Sequence, residues 1–381
     1  MLWNVATAAQ DSRESREGEK KVNYSSDQLL PIVEIDSNML STMTDELHNS
    51  TYAFNASKYW EVLNQLNLDQ LNTYGLNNFK RTVNQNYFNA LPGGFGDNQM
   101  KSLMSFWAKE PSSTALNVQI KAPRFLQPIA TTKNLFLNGE YAEIYRLFVE
   151  LLWHYTEKTD QYGISAELAE PGLGNAIQTR LDGRLISQDL ANSIRERNAN
   201  FEFFAKNQGK TYRVAELGAG YGRLGHVFLE TTNCRYYIFD IPPALMVSQW
   251  YLSNLMSEKE VFAFRHFENF EDVRQEIAAA DVGFFTPNQL ELFPARYFDS
   301  LVSISSLHEM TVEQIDAYKK IIQEKVDKTV YFKQWISTWV PFLDIRLEKA
   351  MYTLDEDWEI ALDRTDAVHD KFFETLFCRK N

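Results

Sequence analysis

Residues 213–228 read RVAELGAGYGRLGHVF, and this stretch decides the fold. An apolar run up to Leu217 stops at a cluster of glycines, which give way to an apolar-periodic segment. That is the pattern of a strand, a tight turn and a helix. Glycines at such a turn let backbone approach a bound nucleotide closely, because no Cβ stands in the way. The dinucleotide fingerprint G-x-G-x-x-G uses its third glycine for close helix–strand packing. Gly218 and Gly220 fit it, but Arg223 holds the third position, and a bulky cation there conflicts with that packing. What the chain carries instead is E-x-G-x-G-x-G: Glu216, Gly218, Gly220 and Gly222.

Downstream of Lys210, strand-like runs (YRVAEL, YYIFDI, VGFFTP, FDSLVSIS, TVYFKQW) alternate with helical ones such as ALMVSQWYLSNLM and VEQIDAYKKIIQEKV. This alternation predicts an α/β fold, a parallel sheet covered by helices. WEIALDRTD and KFFETLFCR close the chain as two strands, which would add an antiparallel edge hairpin. Upstream, from Gln28 to about Gly209, the pattern is mainly helical; KYWEVLNQLNLDQL and EYAEIYRLFVELLWHYTEK repeat apolar residues at three and four. NALPGGFGDNQ, from Asn89, reads as a glycine-rich loop, and EPSSTALNVQIKAPRFLQP as irregular or extended. Ser187 or Asp189 could open a long helix ending before Gly209. Residues 1–27 are polar and lack apolar periodicity, as in a disordered tail. The expected organisation is therefore a tail at 1–27, a mainly helical domain at 28–185 and an α/β domain at 186–381.

The net charge of −13 argues against a nucleic-acid partner, which needs clustered Lys and Arg, and against a polybasic membrane patch. Two cysteines, Cys234 and Cys378, give no disulfide framework. The first residues lack the basic and apolar regions of a signal peptide, and no apolar run approaches the roughly 18 residues of a membrane span. A soluble cytoplasmic protein, without membrane insertion, is expected. The six histidines show no H-x-x-x-H or Cys–His ligand spacing, so no metal is assigned; only a carboxylate-held Mg²⁺ stays open.

The glycine pattern, with Asp240 ending YYIFDI 20 positions after Gly220, resembles the first motifs of class I S-adenosylmethionine-dependent methyltransferases. The resemblance implies a Rossmann-like sheet, mostly parallel with an antiparallel C-terminal edge hairpin, and S-adenosyl-L-methionine as cofactor. It implies that Asp240 accepts both ribose hydroxyls and that Glu216 lies near the methionine end, meeting its ammonium or a water. Asn288 or Gln289 would read the adenine edge, with Leu290 or Phe285 over its face. A plainer alternative is that the glycines only make a tight turn and that Asp240 caps a helix opened by Pro242-Pro243.

Ligands of open α/β sheets sit outside the carboxyl ends of the strands. Thr311 and Gln314 form a T-x-x-Q capping box, which leaves Ser306, His308 and Glu309 in the loop before that helix. Ser306 is a cofactor candidate. His308 falls beside the expected methyl group and suits a general base, with Glu309 orienting it or binding a substrate hydroxyl. Alternatively, His308 is a loop residue satisfied by backbone.

Several stretches resemble the sugar O-methyltransferases of bacterial surface-polysaccharide clusters: YGLNNFKRTVNQNYFN, EPGLGNA, GRLISQDLANSIRE, ELGAGYGRLGHVF, FDIPPAL, FTPNQLELF, SSLHEMT and YFKQW. That family often has Pro after Gly-Asn, where this chain has Ala176. The resemblance implies a helical region capping the carboxyl edge and an acceptor pocket lined from Asn78, Lys80, Arg81, Glu170, Asn175, Gln188 and Asp189. Trp335 and Trp339 could stack on a sugar, and Lys333, Arg180 or Arg184 could meet an anionic acceptor. The expected partner is a small-molecule or glycan acceptor, and the aromatic-rich helical region would suit a homodimer. Alternatives are an aromatic or polyketide hydroxyl as acceptor, a degenerate binding subunit, and a nicotinamide oxidoreductase.

Overall fold

A computed structural model describes residues 29–83, 97–107, 109, 139–176, 179–204, 210–340 and 344–380. The expected tail, the glycine-rich loop from Asn89 to residue 96 and the extended segment after Glu110 lie outside the described residues.

Upstream come α1 (Ser37–His48), α2 (Lys58–Tyr74), α3 (Phe79–Thr82), α4 (Asp97–Trp107) and α5 (Gly139–Thr159), then a hairpin of β1 (Thr179–Leu181) and β2 (Arg184–Ile186). Local chemistry sets the ends. Asp36 accepts from Met39 N at 2.9 Å to cap α1, and Gly75 stops α2 with φ +80°. The helix α6 (Gln188–Phe204) starts as the sequence predicts, with Ser187 Oγ accepting from Leu190 N at 3.0 Å.

The α/β part then runs β3 (Tyr212–Leu217), α7 (Arg223–Thr231), β4 (Cys234–Phe239), α8 (Ala244–Leu255), β5 (Val261–Phe262), α9 (Phe270–Ala279), β6 (Val282–Phe285) and β7 (Phe298–Ile304). It continues with α10 (Val312–Lys325), β8 (Val326–Trp335), a small hairpin of β9 (Ser337–Val340) and β10 (Ile345–Glu348), β11 (Trp358–Thr365) and β12 (Phe372–Arg379). One eight-stranded sheet has the order β11-β12-β8-β7-β3-β4-β6-β5. From β5 to β8 all neighbours are parallel, while β12 and β11 are antiparallel additions at one edge. This is the Rossmann-like, mostly parallel sheet with a C-terminal edge hairpin that the sequence predicts.

Parallel strands buried on both faces read as continuous apolar runs, and every residue of β6 and β7 is buried. Alternate residues face opposite layers. Val214, Ile238 and Val302 pack toward α7 and α8, while Ala215, Phe239 and Leu301 pack toward α9 and α10. The upstream helices share these cores: Met43, Leu71 and Phe79 join the first, Leu47 and Phe54 the second. Helices α1 to α3 are thus tied to the sheet by apolar burial, roughly 1.5–3 kcal/mol per large side chain. A third cluster links α4, α5 and α6 to Val227 of α7.

Candidate functional site

The strand order reverses beside β3, whose neighbours are β4 and β7. In an open α/β sheet such a switch point leaves a crevice at the carboxyl ends of the strands. The glycine turn lies there. Gly218, Gly220 and Gly222 all have left-handed backbone, φ +77°, +60° and +84°, which favours glycine over residues with a Cβ. A Cβ on Gly218 would stand 2.2 Å from Ser306 Oγ, so the turn lies directly against the tip of β7. Close packing is achieved by neighbouring glycines: a Cβ at Gly222 would meet Leu252 Cδ1 of α8 at 2.9 Å and Ile238 Cδ1 of β4 at 3.4 Å, and one at Gly225 would meet the Tyr236 ring of β4 at 3.0 Å. The conflict expected of Arg223 therefore does not arise. Its guanidinium turns to α6, 2.5 Å from Glu196 and 2.8 Å from Ser193 Oγ.

Two acids stand at the adjacent tips. Glu216 is buried near the end of β3 and accepts from Tyr236 OH at 2.8 Å; burial pushes its carboxyl up to about 8, against that hydrogen bond. Asp240 follows β4 and accepts from Gly220 N and Ile241 N, each at 2.7 Å. Burial pushes it up to about 7, although these backbone donors oppose the shift. Neither acid forms an ion pair among the described residues. Two backbone donors leave further lone pairs on the Asp240 oxygens, so the carboxylate can still accept from a diol. Two buried acids at adjacent strand tips, without paired cations among the described residues, would when ionised favour a cationic ligand over a pyrophosphate.

One strand further along, Leu307–Glu309 forms a short 3₁₀ turn between β7 and α10. His308 is buried, its Nδ1 lies 2.9 Å from Gln334 Oε1, and its Nε2 lies 3.7 Å from Glu309 Oε1. Burial lowers the imidazole to about 4, so it is neutral at pH 7. Glu309 is tied to the start of α2: Trp60 Nε1 donates to its Oε2 at 2.9 Å, and Oγ of Ser57, the residue that caps the helix, donates to its carbonyl at 2.8 Å. Burial holds its acid well above the usual range, against the Trp60 bond. The ring of Trp335 lies 5.7 Å from that of His308, and Phe372 meets it edge-on at 5.9 Å. Trp60 belongs to no motif, and Gln334 lies in YFKQW without a role assigned to it. An aromatic at helical spacing and a glutamine within an apolar strand carry no signal of their own.

The remaining candidates divide. Asn78, Lys80, Arg81, Glu170, Asn175 and Asp189 do converge beside the glycine turn. Lys80 Nζ donates to Glu170 Oε1 at 2.5 Å and to Tyr251 OH at 2.9 Å, and Ser187 Oγ donates to Glu170 Oε2 at 2.6 Å. Asn175 Nδ2 donates to Asn78 Oδ1 at 2.8 Å, Arg81 reaches the Asn175 and Ala176 carbonyls, and Tyr221 OH of the turn donates to Asp189 Oδ2 at 2.9 Å. Although burial opposes it, Glu170 holds the Lys80 ammonium above its ordinary range, while burial lifts Asp189 to about 6. Gln188 is buried at the start of α6. The cavity beside Glu170, Asn175 and Ile186 is about 30 Å³, room for one water and not for a sugar.

Other expected roles do not hold. Gln289 is fully buried, with Oε1 accepting from Thr286 N and Nε2 donating to Arg265 O, so its amide cannot read an adenine edge. Phe285 stacks on Phe239 and Phe262 inside the core, and Leu290 is buried with them. Asn288 instead donates to Glu46 of α1 at 2.8 Å. Lys333 is enclosed by Asp366, Glu196 and Glu374 and meets no outside anion. Arg180 donates to Gly183 O within its hairpin, and Arg184 braces Glu157 and lies over Trp153. Trp339 is 58% exposed on β9.

Comparison with protein-family models and with curated proteins finds no match. Among solved structures, the chain is similar to magnesium protoporphyrin IX methyltransferase from Synechocystis PCC 6803 with bound SAH, at 10% identity over 63% of this chain and 99% of that one, TM-score 0.37. It is similar to a SAM-dependent methyltransferase from Leishmania major, at 15% identity over 49% and 72%, TM-score 0.34. A third is the ribosomal protein L11 methylase from Lactobacillus delbrueckii subsp. bulgaricus, at 13% over 49% and 80%, TM-score 0.31. Overlaps this slight add nothing to the strand order and edge residues described above. Among the described residues no cluster of His, Cys, Asp or Glu could hold a metal ion, and no helix is long and apolar enough to cross a membrane.

Proposed function

We propose that this protein is an S-adenosylmethionine-dependent O-methyltransferase, and that its acceptor is a hydroxyl of a sugar or glycoconjugate. The observation that carries the cofactor is the pair of buried acids, Glu216 and Asp240, flanking the Gly218–Ser306 contact without an ion-pair partner among the described residues. When bound, the cofactor supplies a methyl group on a sulfonium, a cation suited to that acid-lined crevice. Asp240 would accept from the ribose diol, the backbone at Gly218–Gly222 would leave room for the nucleoside, and Glu216 would meet the methionine end. His308 Nε2 would take the proton of the acceptor hydroxyl, the role a neutral imidazole can fill. Glu309 fixes the imidazole edge, and Trp335 offers an apolar face. The sugar acceptor rests on the resemblance of YGLNNFKRT, EPGLGNA and GRLISQDL to sugar O-methyltransferases; their polar side chains here bond to one another beside Tyr221, and the cavity among them has room for a water and not for a sugar.

Calorimetry tests the cofactor. S-adenosylmethionine should bind the wild-type protein while NAD gives no heat, and Asp240→Asn should weaken binding roughly 10- to 100-fold through the lost charge-assisted bonds. Unchanged affinity in the variant, or binding of NAD alone, would remove the assignment. The acceptor is tested by mass spectrometry after incubation with labelled methyl donor and a panel of glycans and phenols. Transfer to phenols and to no glycan would overturn the sugar reading.

A further inference from the structure

We propose that Gln334 is a positioning residue that holds the His308 imidazole in its Nδ1–H tautomer, leaving Nε2 as the nitrogen that receives a proton. Gln334 is fully buried near the end of β8, next to the tip of β7. Its Nε2 donates to the Ser303 carbonyl at 3.0 Å and lies 3.4 Å from Ser303 Oγ. Its Oε1 faces three nitrogens, those of the Ser306 and His308 backbones at 3.2 and 3.3 Å and His308 Nδ1 at 2.9 Å.

An amide can be built either way round, and the surrounding groups decide which way is right. Flipped, the Gln334 NH₂ would confront two backbone N–H donors, and its oxygen would confront the Ser303 carbonyl. Three backbone groups whose own polarity is fixed therefore fix the amide. Once Oε1 faces Nδ1, that nitrogen has to be the donor, because an oxygen without a hydrogen cannot satisfy a lone pair. The imidazole proton sits on Nδ1, and the lone pair is on Nε2, toward Glu309.

The strand tip is shaped for this. Ser305 has left-handed backbone, φ +52°, uncommon for a residue with a Cβ, and its N–H returns to Lys333 O at 2.9 Å. Beyond that kink, Ser306 N and His308 N both point to the same glutamine oxygen. A neutral amide does here what a carboxylate does in a catalytic triad, which is to orient the ring and fix its tautomer, and it brings no charge. The value of this arrangement to methyl transfer rests on the reading of His308 as the base; the tautomer itself does not.

The test is ¹⁵N spectroscopy of the full chain carrying labelled histidine, with the His308 signals assigned by their loss in His308→Asn. At pH 7 the wild-type Nδ1 should show a protonated, pyrrole-type shift and Nε2 an unprotonated, pyridine-type shift. Gln334→Leu should reverse the two, because a ring without this acceptor favours the Nε2–H form and Glu309 lies there to receive it. Gln334→Glu should keep Nδ1 protonated, since either form of the new carboxyl offers an acceptor at that spot. An Nε2–H ring in the wild type, or a Gln334→Leu ring that keeps Nδ1–H, would overturn the proposal. Should the leucine variant not fold, the wild-type and Gln334→Glu spectra decide. No substrate is needed, so a failure here is separate from a failure of the methyl-transfer reading, which the turnover of His308→Ala addresses.

Discussion

Lys333→Met should destabilise the protein by about 3–5 kcal/mol, read as a shift of the denaturant midpoint at unchanged slope. Lys333 Nζ lies 2.8 Å from Asp366, 3.1 Å from Glu196 and 3.7 Å from Glu374, and all four side chains are buried. Arg195 meets Asp366 at 2.9 Å, Arg223 meets Glu196 at 2.5 Å, and Arg364 meets Glu374 at 2.6 Å. Among the described residues, the lysine is thus the cation shared by all three of these carboxylates. Although burial pushes Asp366 up, Lys333 and Arg195 hold it well below the usual carboxylate range, and that stabilisation is present above about pH 4 and lost on acidification. Deleting the shared cation leaves carboxylates buried next to one another, whereas deleting a cation at the rim does not. Arg364→Met is the control: its side chain is 54% exposed, and solvent screening should keep its effect small. Equal effects of the two substitutions would refute the shared-cation account. A secondary consequence concerns the site. Glu196 also holds Arg223, the first residue of α7, so loosening the network loosens the helix that follows the glycine turn.

This network was invisible in the sequence, and the reason is physical. Its members sit at positions 195, 196, 223, 333, 364, 366 and 374, with no common spacing, and only the sheet order brings them together. Lys333 taken alone reads as a cation at a strand tip ready for an anionic ligand. By contrast, features written within a few residues were legible. The glycine turn, Asp240 after the next strand, the Thr311–Gln314 capping box and the closing antiparallel hairpin all depend on local backbone rules or alternating apolar runs. Gln289 shows where local rules mislead. Its position suggested a base-reading amide, but at the third residue after Thr286 it bonds back to that residue's N–H, as a helix-start glutamine does. Strands β1 and β2 escaped notice because three residues are too few to show a period. The Trp60–Glu309 bond joins residues 249 apart, and nothing in either neighbourhood announces the other.

His308→Ala should lower turnover by about 10²–10⁴-fold while leaving S-adenosylmethionine affinity unchanged, measured as kcat against the calorimetric Kd. An alcohol is a weak nucleophile until its proton is leaving, so a positioned base acts on the transition state and not on the bound cofactor. Alanine would remove the contacts of the side chain: Gln334 on Nδ1, Glu309 Oε1 3.7 Å from Nε2, and the rings of Trp335 and Phe372, which also pack on each other. Its burial sets the pH dependence. With the imidazole lowered to about 4, the ring is already neutral at pH 6 to 8, so at saturating cofactor and acceptor the limb of kcat that belongs to His308 should lie near pH 4 and not near 6.5. The same shift makes a stability statement of definite sign. The unfolded chain, with an ordinary histidine value near 6.5, binds the proton more readily than the folded one between pH 4 and 6.5. His308 therefore disfavours folding progressively as pH falls through that window, and His308→Ala should lose less stability than wild type between pH 7 and pH 5. A variant with full turnover on the true acceptor would remove the base from His308, and a loss of cofactor binding equal to the loss of rate would place the residue in the cofactor's seat.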